Sequence, residues 1–304
     1  MRAVEQPDGC IIVDDSISEK PYTDENDIIA WHYDHSQGAT VKGINFISAL
    51  YHVPQLEVSL PVGFRVVKKT EWYVDKKDGK TKRRDPVSKN QHYQGLLRQA
   101  CHNRIAFRYV LSDVWYASAE NMRFVKGELE RDFIMPLKTN RKVALSEADK
   151  RQGKYVRVDQ LTLEVGEVLV IYLEGVDFPL ALAKQLFVNE DGSNEDGSRA
   201  VQYLVCSDVQ LTHEQITTIY QRRWNVEEYH KSLKQNASLE RSPTHTVRTQ
   251  TNHLFASLCG YVKLELLKMS HHLNHFALKS TIYLRAMQVA FDAFRQLQPI
   301  RLAA

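Results

Sequence analysis

Residues 219–235 read IYQRRWNVEEYHKSLKQ. Thr212, a little upstream, is a residue that caps helix starts, because its hydroxyl accepts from the orphan amides of the first turn. No Gly or Pro stands between Thr212 and Arg241, so the pattern predicts one long helix. Along it Tyr220, Arg223, Glu227, Lys231 and Lys234 follow at steps of 3, 4, 4 and 3, which puts all five on one stripe. A stripe that faced the core would be apolar; this one is aromatic, cationic, anionic, cationic, cationic. The plain reading is a solvated face laced with ion pairs. The chemical reading is that Glu227 holds a metal ion against a polyanion, while the arginine, the lysines and the tyrosine hydroxyl grip flanking phosphates.

The spacing carries a resemblance. Tyr220, two residues, Arg223, three residues, Glu227, six residues, Lys234 resembles the signature of bacterial insertion-sequence DDE transposases of the tyrosine–arginine–glutamate–lysine type. The resemblance implies a ribonuclease-H-like catalytic core and two further aspartates upstream. Two apolar runs end in acids. Cys10–Val13 (CIIV) reads as a buried strand and meets Asp14, Asp15 and Ser16. Phe107–Leu111 (FRYVL) meets Ser112 and Asp113. For each acid alone a strand-ending turn is explanation enough, but two strand-borne acids and a later helix-borne acid form a constellation. By the resemblance, Asp14, with Ser16 in the hydroxyl position, is the first catalytic aspartate, Asp15 its rival, and Asp113 the second.

The 304 residues suffice for one large domain with an insertion, or for two domains. With 43% hydrophobic and 25% charged residues, the composition is that of a globular protein with a core. The net charge of +3 is too mild to signal nucleic acid by itself. Locally, Arg65–Arg84 sets nine basic residues against three acidic ones, with Trp72 and Tyr73 among them. This suits a phosphate backbone, and equally an exposed hairpin kept soluble by charge. Cys10, Cys101, Cys206 and Cys259 stand far apart, which argues against a zinc module or disulfide framework. No apolar leader and no run long enough to span a membrane are visible. A cytoplasmic, nucleoid-associated protein is expected.

The coarse order is as follows. Ile44–Val53 and Leu56–Lys69 read as the second and third strands, Gln91–Asn103 as a helix with Leu96, Leu97 and Ala100 inward, Ser118–Lys126 as a short helix stopped by Gly127, and Phe133–Lys138 as a strand. Strands then dominate 140–208: Tyr155–Val158, Val168–Leu173, Pro179–Val188 and Val201–Cys206. Between the last two lies a tandem NEDGS repeat, Asn189–Ser198, which reads as a loop tip. Thr246–His271 reads as a helix with Leu254, Leu258, Val262 and Leu266 inward, and Leu278–Leu297 as a closing helix. His32 with His35 is a weak metal motif better read as structural or DNA-facing, and His271, His272 and His275 read as a His-rich helix end favoured by the helix dipole.

The expected fold is therefore α/β: a ribonuclease-H-like mixed sheet with flanking helices, interrupted by an all-β insertion and followed by C-terminal helices. The divisions are 10–139 and 209–245 for the core, 140–208 for the insertion and 246–304 for the last helices. The resemblance implies two Mg2+ ions, with Mn2+ as a substitute, on Asp14, Asp113 and Glu227, with Asp14 bridging. Tyr220, Arg223, Lys231 and Lys234 would bind phosphate. The partners implied are transposon ends, target DNA and a second copy in a synaptic complex. Only nine residues precede Cys10, so the N-terminal DNA-binding region common in such transposases is expected to be missing. The alternatives are a stand-alone nuclease on the same core and a non-catalytic DNA-binding remnant.

Overall fold

A computed structural model describes residues 2–35, 37–76, 78–187 and 200–296; the NEDGS repeat lies outside them. The chain forms two compact units, Met1–Glu228 and Tyr229–Ala304.

The first unit is built on one eleven-stranded sheet. Its antiparallel and parallel parts meet at β1 (Cys10–Glu19), with β3 (Ala39–Val53) antiparallel on one side and β7 (Tyr109–Ser112) parallel on the other. β8 (Asp132–Leu137) continues the parallel set beyond β7. The far edge of β3 is shared by β2 (Ile29–Asp34) and β4 (Val58–Val66). An antiparallel start feeding parallel strands is consistent with a ribonuclease-H-like core. Ile11, Ile12 and Val13 are fully buried, as expected of a strand covered on both faces.

Beyond β8 the sheet runs on through β13 (Ala200–Cys206), β12 (Leu180–Phe187), β11 (Val168–Leu173), β9 (Lys142–Ala144) and β10 (Val156–Arg157). Residues 140–208 thus add strands to the central sheet, together with one short helix, α3 (Glu147–Arg151). β5 (Glu71–Val74) and β6 (Thr81–Arg84) pair only with each other. In this ribbon Lys82 is bonded to Asp75 and Asp78, and Arg84 to Glu71, so part of its basic charge is already balanced.

Helix α1 (Lys89–His102) packs Tyr93, Leu96, Leu97 and Ala100 inward and opens with a reciprocal cap between Ser88 and Gln91. Gly63 on β4 lets this helix approach closely: a Cβ there would lie 2.6 Å from Leu96 Cδ2, and the leucine would have to shift. Helix α2 is shorter than its sequence pattern, Ala119–Arg123, and passes into a wide turn over Phe124–Glu128. Gly127 lies inside that turn and does not stop the helix with a left-handed residue.

The predicted long helix after Thr212 is broken. Thr212 does cap α4 (His213–Gln221), in a reciprocal pair with Gln215, but α5 begins anew at Trp224 and runs to Gln235. Between them the amides of Arg223 and Val226 donate three residues back, to Tyr220 and Arg223 carbonyls, at 2.9 and 3.0 Å. The Asn225 side-chain Nδ2 also donates to the Arg222 carbonyl, at 2.8 Å. That tight turn replaces the four-residue repeat, so Tyr220 and Arg223 do not continue the stripe of Glu227, Lys231 and Lys234.

In the second unit, α6 (Val247–His271) and α7 (His275–Gln296) follow the end of α5. α6 buries Gln250, Leu254, Ser257, Leu258, Tyr261 and Glu265, while Leu266 is 51% exposed. The inward row expected from sequence drifts because each four-residue step over-rotates by about 40° on a helix of 3.6 residues per turn. His275 sits between Glu265 (2.7 Å) and Ser232 (2.8 Å), and His272 ends α6 in the left-handed conformation. The three histidines therefore do not form a cluster.

Candidate functional site

The parallel ladder between β1 and β7 ends at the pair Val13 and Ser112. Asp14 and Asp113 are the next residues, carried by strands about 4.8 Å apart. Asp14 does not terminate its strand: β1 continues to Glu19, paired with β3 alone. What ends there is β7, because Asp113 caps a 3-10 turn over Val114–Tyr116 through Oδ1, which accepts from the Val114 amide at 2.5 Å.

Alternation along β1 sends Asp14 and Asp15 to opposite faces. Asp15 is held by the Lys89 ammonium (2.7 Å), the Asn45 amide (3.0 Å) and the Tyr116 hydroxyl (3.1 Å). Burial works to raise its carboxyl, but Lys89, Asn45 and Tyr116 outweigh it and hold the group below its usual range. Asp14 has the opposite balance. Burial raises it first and neighbouring Asp15 second; Arg223 opposes them, Asp113 adds to them, and the result is about 7.

Arg223 is the link to the helix-borne acid. Its guanidinium bonds Glu227 at 2.7 Å and stands 3.9 Å from Asp14. The break between α4 and α5 is what places it there. Tyr220 is buried at the end of α4, with its hydroxyl 3.5 Å from the Ser112 carbonyl, and burial pushes its phenol upward. Lys231 and Lys234 belong to the second unit. Lys231 lies over the Phe276 ring at 5.6 Å. Lys234 stands 3.8 Å from Glu240 and lines a cavity of about 640 Å3 with Arg241 and Lys279.

A smaller cavity of about 180 Å3 adjoins Asp113 and is lined by it with Tyr220, Arg223, Trp224, Gln185 and Gln202. The two glutamines face each other across β12 and β13, and the side-chain oxygen of each is buried without a hydrogen-bond partner. Sequence reasoning passed over them; their only signal was an amide in each of two largely apolar strands. His32 is buried and, chiefly by desolvation and then by Lys69 and Lys89, lowered to about 3. His35 stacks on Trp115 instead. The HxxH spacing therefore does not make a metal pair.

Among the described residues no group of three or more His, Cys, Asp or Glu side chains is gathered tightly enough to hold a metal ion. Arg223 lies between Asp14 and Glu227. The donor chemistry nevertheless fits hard divalent cations, being all carboxylate oxygen. The upward push on Asp14 comes chiefly from burial, with Asp15 and Asp113 adding to it, and a bound cation would favour its ionised form.

Comparison with known families adds one finding. A family model described as Transposase DDE domain matches residues 74–263, a span that contains Asp113 and the whole Tyr220–Lys234 stretch but not Asp14. No curated protein matches the chain. No described helix is long and apolar enough to cross a membrane.

Proposed function

The chain belongs to the transposase DDE domain family, and from that premise we propose that it is the catalytic part of an insertion-sequence transposase, cutting element ends and joining them to target DNA. Family membership carries the general part: a metal-dependent enzyme that cuts DNA. The observation that supports the specific reading is that Asp14 and Asp113 stand side by side just past the end of the parallel β1–β7 ladder, next to the Arg223–Glu227 pair.

Asp14, Asp113 and Glu227 are the residues that would hold two Mg2+ or Mn2+ ions. Such ions supply an activated water and neutralise charge on the phosphate and leaving oxygen. Asp14 must lose its proton before it can ligate, and with its carboxyl raised to about 7 that loss occurs near neutral pH. Arg223 exchanges its carboxylate partners for a phosphate as DNA enters. Tyr220, Lys231 and Lys234 hold flanking phosphates and carry no sequence information. The same centre serves both steps, hydrolysis to expose a 3′-hydroxyl and attack of that hydroxyl on target DNA. A synaptic homodimer is part of the reading. In its support, Leu284, Met287, Phe291 and Phe294 are exposed on α7 at steps of 3, 4 and 3, the spacing of a helix–helix seam.

The test is metal-dependent nicking by purified protein. Asp14→Ala, Asp113→Ala and Glu227→Ala should each abolish it while circular dichroism stays native; full activity in any one removes that residue from the centre. Loss in Asp15→Ala but not in Asp14→Ala would reverse their assignment. Joining of pre-cut ends separates a transposase from a stand-alone nuclease, and failure to bind two ions would identify a non-catalytic remnant.

A further inference from the structure

Strand β2 lies at an edge of the central sheet, and edges are ordinarily blunted with charge. This one carries rings. Trp31 is 51% exposed and Tyr33 55% exposed, two residues apart on one face, with His32 buried between them. His35 follows in the turn after the strand. Its ring stands 4.7 Å from Tyr33, edge on, and 4.5 Å from Trp115, tilted by 34°. Trp115 is itself 55% exposed and lies in the turn that Asp113 caps. The row thus begins on β2 and ends two residues from a proposed catalytic acid. Cations accompany it at both ends: Lys42 stands 5.9 Å from the Trp31 ring centre and Lys138 4.9 Å from that of Trp115.

We propose that Trp31, Tyr33, His35 and Trp115 form a stacking platform for unpaired nucleobases next to the cleavage centre, with Lys42 and Lys138 bonding the strand's phosphates. Exposed rings flanked by lysine are what single-stranded nucleic acid binds without regard to sequence. Alternate strand residues are spaced about 6.8 Å apart, twice the 3.4 Å rise of duplex DNA. The platform therefore suits a strand drawn out and unpaired, and a paired duplex offers it no base faces. An apolar protein partner would be poorly served by two ammonium groups set over the rings. This inference rests on the transposase reading for its biological sense but not for its test.

The test compares affinity for a blunt duplex of arbitrary sequence with that for the same duplex carrying a short oligothymidine tail, by fluorescence anisotropy in Mg2+. The wild type should bind the tailed duplex more tightly, and tail binding should quench tryptophan fluorescence. Trp115→Ala and Trp31→Ala should each lose roughly five- to a hundredfold in affinity for the tailed duplex, with affinity for the blunt duplex unchanged. Trp115→Phe, which keeps a stacking ring and is the milder change for folding, should keep most of the tail affinity. Equal affinity for the two duplexes in the wild type, or equal losses on both in the variants, overturns the proposal. Nicking measured alongside reports on the enzyme separately: a protein that binds tails but never nicks refutes the catalytic reading alone, and one that nicks but ignores tails refutes the platform alone.

Discussion

Replacing Asp14 by asparagine removes a buried charge while keeping size and hydrogen-bonding shape, so its effect on folding can be worked from the site. In the folded chain the Asp14 carboxyl is raised from 3.8 to about 7, by burial first and by Asp15 second. Between those values the folded state holds a proton that the unfolded state has released. Stability therefore falls as pH rises from about 4 to about 7 and then levels off. A shift of about three pH units corresponds to about 4 kcal/mol. In chelator, Asp14→Asn should thus match the wild type near pH 4 and exceed it by up to about 4 kcal/mol near pH 8. At roughly 2–4 °C per kcal/mol for a unit of this size, that is about 8–16 °C in Tm. The assay is thermal unfolding by circular dichroism across the pH range. Adding Mn2+ at the alkaline end should stabilise the wild type by mass action and leave the variant unmoved. A variant less stable than the wild type at high pH, or one that still gains from Mn2+, refutes the claim that Asp14 is a strained, cation-seeking carboxylate.

Arg223→Ala strands Asp14 and Glu227 without their shared counter-ion. It should cost about 1–3 kcal/mol near pH 8 and less in acid, read from the same melts, and should weaken DNA binding in filter retention. Glu265→Gln cuts the buried acid's pairing with His275 and Lys268; a loss of about 3 kcal/mol or more in urea is expected, with a change below about 1 kcal/mol counting against that pair as a fixture of the second unit. Ser88→Ala removes the cap of α1 and should cost about 1 kcal/mol with nicking intact, since the cap touches no proposed site residue. Gly43→Ala drives a Cβ to within 2.4 Å of the Ser18 carbonyl, and about 1–3 kcal/mol should be lost as β1 and β3 move apart.

Much of the fold was legible because its signals are local. Ser88, Gln91, Thr212 and Gln215 announce helix starts through short side-chain-to-backbone bonds, and the runs at Ile11–Val13 and Tyr109–Leu111 are apolar enough to be buried strands. The site was legible to the extent that its acids follow such strands. The break at Arg222 and Arg223 was not legible, because no Gly or Pro marks it; it is held by bonds that helix-compatible residues also make. Nor could the sequence separate Asp14 from Asp15. That difference lies in Lys89, Asn45 and Tyr116, residues distant in the chain that collect around only one of the two. Burial along α6 was misjudged at Leu266 for a geometric reason, the slow rotation of a four-residue step. The joint role of Trp31, Tyr33 and Trp115 was not legible, because exposure, which gives them meaning, is invisible before the chain folds.

The parting of β1 and β7 has one more consequence. The two strands are zipped through four residue pairs, Cys10 with Tyr109 to Val13 with Ser112, and then separate. Behind the parting lie Ile11, Ile12, Val13, Val110 and Leu111, all without solvent exposure. The acids are therefore mounted at the mouth of a split seam with a hydrocarbon stop behind it.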